Sequence, residues 1–219
     1  MRHYPFFRRE GETYDRNAFH PTMKLKLCST RTECIPLASS GHRLLSSGNS
    51  PMQQLELTYA QEDPAHDIEI EDMNAEAFGP GRFTRAAHFI REGGPHDYNL
   101  SFVALMGGIV IGSLRMTPVV VGKTPALLLG PLAVRPDWKK RGIGGTLMRM
   151  SLEAARNAGH KLVILVGDQP YYGPFGFNMV QPGSMIMPAP VDQRRMLACE
   201  LVPGALSGVG GVVRHANRA

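Results

Sequence analysis

No apolar run in these 219 residues approaches the ~20 residues needed to cross a bilayer as a helix. Leu162 to Val166, apolar throughout, is short enough to be a buried strand. A spanning helix is thereby excluded, and no membrane partner is expected. The N-terminus, Met1-Arg2-His3-Tyr4-Pro5, never develops the apolar stretch of a secretory signal. Cysteine is scarce. Cys28, Cys34 and Cys199 are odd in number and have no metal-site spacing. They suit a reducing compartment, so a cytoplasmic location and no metal are the expectations. Charge of one sign is also thin, at +5 overall. Residues 1–50 hold eight Lys/Arg against four acids, which is +4 of that +5. A basic leader of this kind can serve nucleic-acid binding or targeting. With no periodicity it reads first as an unstructured extension, and a nucleic-acid partner is not expected.

The order along the chain follows from punctuation and period. Residues 1–53 read as a basic, disordered leader that ends in Ser46-Ser47-Gly48-Asn49-Ser50. Residues 54–204 read as one folded domain, and 205–219 as a loose tail. Leu55 to Tyr59 alternates like a half-buried strand. A helix is expected from about Pro64 to Phe78, stopped by Gly79-Pro80-Gly81. A second helix is marked by Phe83, Ala86, Ala87 and Ile90 on one face. Strands at Leu100–Leu105 and Ile109–Met116 flank Gly107-Gly108, a hairpin signal. A third strand covers Ala126–Val134. A helix at Gly144–Ala158 has Ile143, Leu147, Met150 and Ala154 as its apolar stripe, with Gly159 as its stop. Leu162–Val166 suits a parallel strand covered on both faces. A short helix follows near Pro170, then weaker strands near Phe177–Met187 and Met196–Val202.

The most informative stretch is Pro131-Leu132-Ala133-Val134 running through Trp138-Lys139-Lys140-Arg141 into Gly142-Ile143-Gly144-Gly145-Thr146-Leu147. A strand enters a glycine turn that opens a helix. Glycine lets backbone approach a ligand closely. The first N–H groups of a helix lack internal partners and carry partial positive charge. Such a turn cradles a pyrophosphate, and Lys139, Lys140 and Arg141 add positive charge beside it. The spacing is not Gly-x-x-x-x-Gly-Lys-Ser/Thr, so it is not a P-loop. It also lacks the third glycine of the dinucleotide fingerprint, and it follows hairpin strands rather than opening a βαβ unit.

Lys139-Lys140-Arg141-Gly142-Ile143-Gly144 resembles motif A of the GNAT superfamily of N-acetyltransferases, Arg/Gln-x-x-Gly-x-Gly/Ala, with Lys139 as the departure. Lysine keeps the charge but not the bidentate fork of arginine. Tyr172-Gly173-Pro174-Phe175-Gly176-Phe177 resembles that superfamily's Tyr-x-x-x-Gly-Phe segment. The wording Leu129-Gly130-Pro131-Leu132-Ala133-Val134, with Gly167-Asp168 and Tyr171-Tyr172, is most similar to the branch labelled YhbS-like. The resemblance spans about residues 54–204. It implies an α+β fold: a mixed, mostly antiparallel twisted sheet, a splayed central pair of parallel strands, and helices on both faces. It implies acetyl-CoA as co-substrate, with no metal. The acceptor would be the primary amine of a small molecule or a protein. The alternative is a non-catalytic acyl-CoA-sensing module. The oligomeric state stays open, a dimer included.

The same resemblance implies roles. Leu132, Ala133 and Val134, residues 139–146 (Lys139, Lys140, Arg141, Gly142, Ile143, Gly144, Gly145 and Thr146) and Tyr172 would contact acetyl-CoA. A bulge at Gly130-Pro131 would free the Leu132 N–H to stabilise the oxyanion. Tyr172 would protonate the departing thiolate, with Tyr171 as its competitor. Asp168 reads first as the N-cap of the Pro170 helix. No acid lies between Ala126 and Val134, so a base on that strand is not expected. His88, Glu92, His96 and Asp97 are candidate proton carriers, each read first as a surface residue.

Overall fold

The computed structural model describes residues 56–218. The leader, with Cys28 and Cys34, lies outside the described residues. The elements are strands β1 (Leu57–Gln61), β2 (Phe102–Met106), β3 (Ile109–Val121), β4 (Thr124–Val134), β5 (Leu162–Val166), β6 (Asn178–Met179), β7 (Met185–Ile186), β8 (Met196–Glu200) and β9 (Gly211–His215). The helices are α1 (Asp67–Phe78), α2 (Ala86–Arg91), α3 (Ile143–Asn157) and α4 (Gln169–Tyr172). The sheet runs β1-β2-β3-β4-β5-β8-β6, with β9 on β3 and β7 on β9. Within that sheet only β4–β5 is parallel; β7–β9, at the margin, is the other parallel pair. The architecture is α+β, with helices on both faces. No helix among the described residues is long and apolar enough to cross a membrane.

Local chemistry starts and stops the helices. Asp63 opens the turn before α1: its Oδ1 accepts from the Ala65 N–H (2.8 Å), and its own N–H donates to His66 Nδ1 (3.0 Å). Gly79, at φ 61°, ends α1 in a conformation that L side chains avoid. Helix α3 buries Ile143, Leu147, Met148, Ser151, Leu152 and Ala155. Its stripe is therefore rotated from the expected one, because Met150 and Ala154 sit at the edge of the contact. In the second helical region Ala86 and Ile90 are buried as expected. Phe83 instead falls in a separate 3-10 turn and is exposed.

Strand β5 is covered on both sides, as a continuous apolar run requires. Val163 and Leu165 join α3 in one core layer. Leu162 and Ile164 join α2 in the other. The layers also show where β4 is irregular. Leu127 and Leu129 face α3, and strict alternation would send residues 131 and 133 after them. Instead Leu132 and Val134 pack on that side, while Ala133 joins the layer of α1. The register explains the change. Leu114 pairs with Leu132 but Met116 with Leu129, so Gly130 and Pro131 both oppose Arg115. That is a bulge.

The C-terminal region corrects the sequence reading. Residues 205–219 were expected as a loose tail, yet β9 pairs with Val119–Val121 of β3. It takes the edge that β2, paired with residues 109–114, leaves vacant. Gly208, Gly210 and Gly211 interrupt the segment and leave only Val212 and Val213 as the apolar part of the strand, so its strand character comes from this tertiary edge and not from local pattern. His215 is buried. Its Nδ1 accepts from the Asn217 N–H (3.0 Å), which leaves Nε2 to donate to the Pro95 carbonyl (3.1 Å). Gly93 and Gly94 make room for that ring, since a Cβ on either would collide with His215.

Candidate active site

The opening in the sheet is the direct result of the bulge. β4 and β5 pair only at Leu127–Val163 and Leu128–Ile164. Beyond that point β4 runs on to Val134 without β5 beside it. The Arg135 N–H donates to the Ile111 carbonyl (2.9 Å). Antiparallel ladders alternate, so Ala133–Ser113 is also a hydrogen-bonded pair, and Leu132–Leu114 and Val134–Gly112 are not. The N–H groups of Leu132 and Val134 therefore point away from β3, into the gap. Ala133, also expected at the cofactor, has its N–H facing β3 and its side chain buried.

At the end of β4 the chain enters the glycine turn. Gly142 caps α3 at φ 79°, and Lys140 also has a positive φ of 61°. The Thr146 N–H donates to the Gly142 carbonyl (3.0 Å). Ile143, Gly144 and Gly145 thus supply the N–H groups ahead of the first helical bond. Thr146, also expected at the cofactor, has its N–H committed to that helical bond, which leaves its side chain. The Ile143 side chain is committed to the core, so only its backbone is available. Lys139, Lys140 and Arg141 are exposed at the rim, with the Arg141 guanidinium over the Trp138 ring at 4.7 Å.

The two tyrosines, alternatives in the sequence, are separated by the structure. Their rings meet edge to face at 4.9 Å. Tyr171 is exposed, and its hydroxyl lies above Gly144, where a Cβ would come within 2.7 Å. Tyr172 lies across the gap from the bulge. Its ring rests on Gly167, which has no room for a Cβ, and against Phe177. Burial, with smaller effects from Tyr171 and Asp168, raises the Tyr172 hydroxyl to about 12, so it is a protonated donor at neutral pH. Asp168 does not cap α4 with its side chain, as had been expected. Its carboxylate pairs with Arg195 at 3.1 Å instead.

Tyr172, Gly130, Pro131 and Leu132 line one side of a cavity of about 800 Å³. Helices α1 and α2 and the loop after them form the other side. Arg115 anchors this wall. Its Nε donates to Glu62 (2.8 Å) and its Nη1 to Glu71 (3.0 Å). Its Nη2 binds Asp67. His96 was expected at the surface but is largely enclosed here, with Nε2 3.1 Å from Glu62 Oε1. Burial pushes the Glu62 carboxyl up, but His96 and Arg115 outweigh it and hold it below its ordinary value. Glu62 was missed in sequence because it sits at the end of β1, far in the chain from its partners. Of the other candidates, His88 and Glu92 pair with each other at 3.4 Å on the cavity wall. Asp97 caps the next turn through the Asn99 N–H (2.9 Å).

A bulged strand, a parallel pair that splays after two residues, and a glycine-capped helix at its mouth form one unit. A family model described as Acetyltransferase (GNAT) family matches residues 63–177 of the chain. The chain belongs to the GNAT acetyltransferase family. It is 28% identical over 155 residues to an uncharacterised N-acetyltransferase, YhbS, of Escherichia coli K12, covering 68% of this chain and 92% of that one. A second Escherichia coli K12 protein, the uncharacterised N-acetyltransferase YjhQ, is 28% identical over 125 residues, or 55% and 69% of the two chains. Among solved structures, the GNAT fold is matched by YhbS from Escherichia coli in complex with CoA. There the TM-score is 0.64, with 26% identity and coverage of 74% of this chain and 90% of that one. A GNAT family acetyltransferase from Brucella melitensis in complex with acetyl-CoA gives 0.53, with 27% identity over 75% and 99% of the two chains.

Proposed function

We propose that this GNAT protein transfers the acetyl group of acetyl-CoA to a primary amine by direct attack in a ternary complex. The observation that carries the reading is the pair of N–H groups, Leu132 and Val134, turned into the gap beside a cavity that also holds Tyr172. Acetyl-CoA lies with its pyrophosphate over the N–H groups of Ile143, Gly144 and Gly145, flanked by Lys139, Lys140 and Arg141. Gly144 and Gly145 suit this because a Cβ there would fill the approach. The pantetheine arm follows β4 through the opening left by β5.

The neutral amine attacks the thioester carbon, and a C–N bond forms. Charge that builds on the carbonyl oxygen is met by the Leu132 N–H. His96, held by Glu62, takes the proton that the amine sheds. The C–S bond breaks, and Tyr172 gives its proton to the sulfur. The products are an amide and the free thiol, and solvent restores the tyrosine and histidine. The test is calorimetric binding of acetyl-CoA followed by thiol release over a panel of primary amines. Binding with release for at least one amine is expected. Binding without release from any amine would favour the sensing module.

A further inference from the structure

The charges around the cavity do not balance. Each carboxylate that lines it already has a side-chain nitrogen within 4.0 Å: Glu71 that of Arg115, Glu92 that of His88, Asp168 that of Arg195, and Asp192 that of Arg194. The arginines of the 3-10 turn before α2 and of α2 itself are different. Arg82, Arg85 and Arg91 line the cavity, and among the described residues none has a carboxylate within 4.0 Å. Arg82 and Arg85 lie over the rings of Phe83 and Phe78, at 4.2 and 5.0 Å. Arg91 is enclosed more deeply. Its Nη1 donates to the Gly130 carbonyl (3.4 Å), and no other side-chain bond engages it among the described residues. Burial, reinforced by Arg115 and Arg85 and opposed by Glu71, lowers it to about 10. An enclosed guanidinium with most of its five donors idle is costly unless an anion arrives.

Position ties this cluster to the chemistry. Gly130 is the first residue of the bulge, two residues before Leu132. Two residues of strand span ~6–7 Å, so an anion held on Arg91 lies within a small molecule's length of the oxyanion site. A planar guanidinium fork matches a carboxylate or a phosphate with two parallel bonds.

We propose that the acceptor is a small primary amine carrying an oxyanion a few bonds from its nitrogen, and that Arg91, with Arg85 and Arg82, binds that group beside the β4 bulge. This rests on the acetyl-transfer reading above. The oxyanion takes no part in bond making; it orients the neutral amine toward the thioester carbon.

The experiment uses the full chain and matched amines: an amino acid, its amide, the corresponding amine with neither group, and a phosphorylated amine. Thiol release should favour the anionic members. The carboxylate and phosphate arms show which oxyanion is the better fit. In Arg91→Gln, kcat/KM for the preferred anionic amine should fall about ten- to a hundredfold, mostly through KM. The rate with the neutral amine should fall much less, since it loses only the Arg91 bond to the Gly130 carbonyl. Arg91→Lys keeps charge without the fork and should fall between the two. Calorimetry of the same amines against the CoA-saturated protein reads binding without turnover, so a failure of catalysis leaves this proposal decidable. Equal or better binding and release with the uncharged analogue, or an equal loss for charged and neutral amines in a folded Arg91→Gln, would overturn it.

Discussion

Gly144→Asp tests the cradle most directly, because folding should hold while ligand binding falls. A carboxylate in the first turn of α3 complements the helix dipole by about 0.3–1 kcal/mol. Leaving glycine also gains helix propensity, up to about 1 kcal/mol for alanine. Against this, the new Cβ would lie 2.7 Å from the Tyr171 hydroxyl. That hydroxyl is the tip of a side chain 47% exposed, so it can swing away at little cost. The melting temperature should therefore stay within a few degrees of wild type. Binding is another matter. A new negative charge ~6 Å from a bound phosphate costs about 3 kcal/mol at an effective dielectric of 20 and under 1 kcal/mol in bulk water. The cradle lies between these limits, so acetyl-CoA should bind about 5- to 150-fold more weakly. Gly144→Ala carries the steric change without the charge and should lose much less. Titration calorimetry decides. Wild-type affinity in Gly144→Asp, or equal losses in the alanine and aspartate variants, would refute the argument.

Tyr172→Phe keeps the ring that rests on Gly167 and Phe177, so stability and acetyl-CoA affinity should hold. Single-turnover thiol release should slow by ~10²–10⁴-fold; a loss in Tyr171→Phe instead would move the role to the neighbour. Because the Tyr172 hydroxyl titrates only at about 12, against the ordinary 10 for tyrosine, its neutral form is fully present below pH 10. Its stabilising effect is lost only as pH rises toward 12, so no alkaline fall in rate below pH 10 should trace to this residue. His96→Gln should lower the rate of the chemical step at neutral pH, and raising the pH, which deprotonates the amine in solution, should restore part of it; a rate deficit that is constant with pH would remove His96 from proton transfer. His215→Ala strips the donor from the Pro95 carbonyl and should cost about 1–3 kcal/mol, a fall of several degrees in Tm. It should also raise the KM for the amine more than the KM for acetyl-CoA; an equal rise in both would show that β9 does not act on the acceptor wall.

What the sequence disclosed was the part of the site built from neighbours in the chain. The turn from β4 into α3 is contiguous, so its glycines and its strand-to-helix step could be read directly. Proline beside glycine in a central strand likewise signalled the bulge. The acceptor wall could not be read that way. Glu62, Arg91, His96 and Arg115 come from separate segments of the chain and meet only through the fold; of the four only His96 was a candidate, read first as a surface residue. β9 was invisible for a related reason: its two valines are too few to show a period, and the edge of β3 supplies its partner. The tyrosine pair marks an intermediate case. The motif named both, and only the packing on Gly167 and above Gly144 told them apart.

The His215 contact gives this enzyme a division of labour between its two walls. The wall proposed for acetyl-CoA is made by β4, the glycine turn and α3, all inside the span 63–177 matched by the family. The loop that carries the acceptor wall is instead held from outside that span, by a ring four residues beyond Gly211. On the proposed function, substitutions along residues 205–218 would act first on the loop at Pro95, next to Arg91 and His96, and not on the glycine turn. The place to test for a change of acceptor is then the last strand, which does not line the cavity.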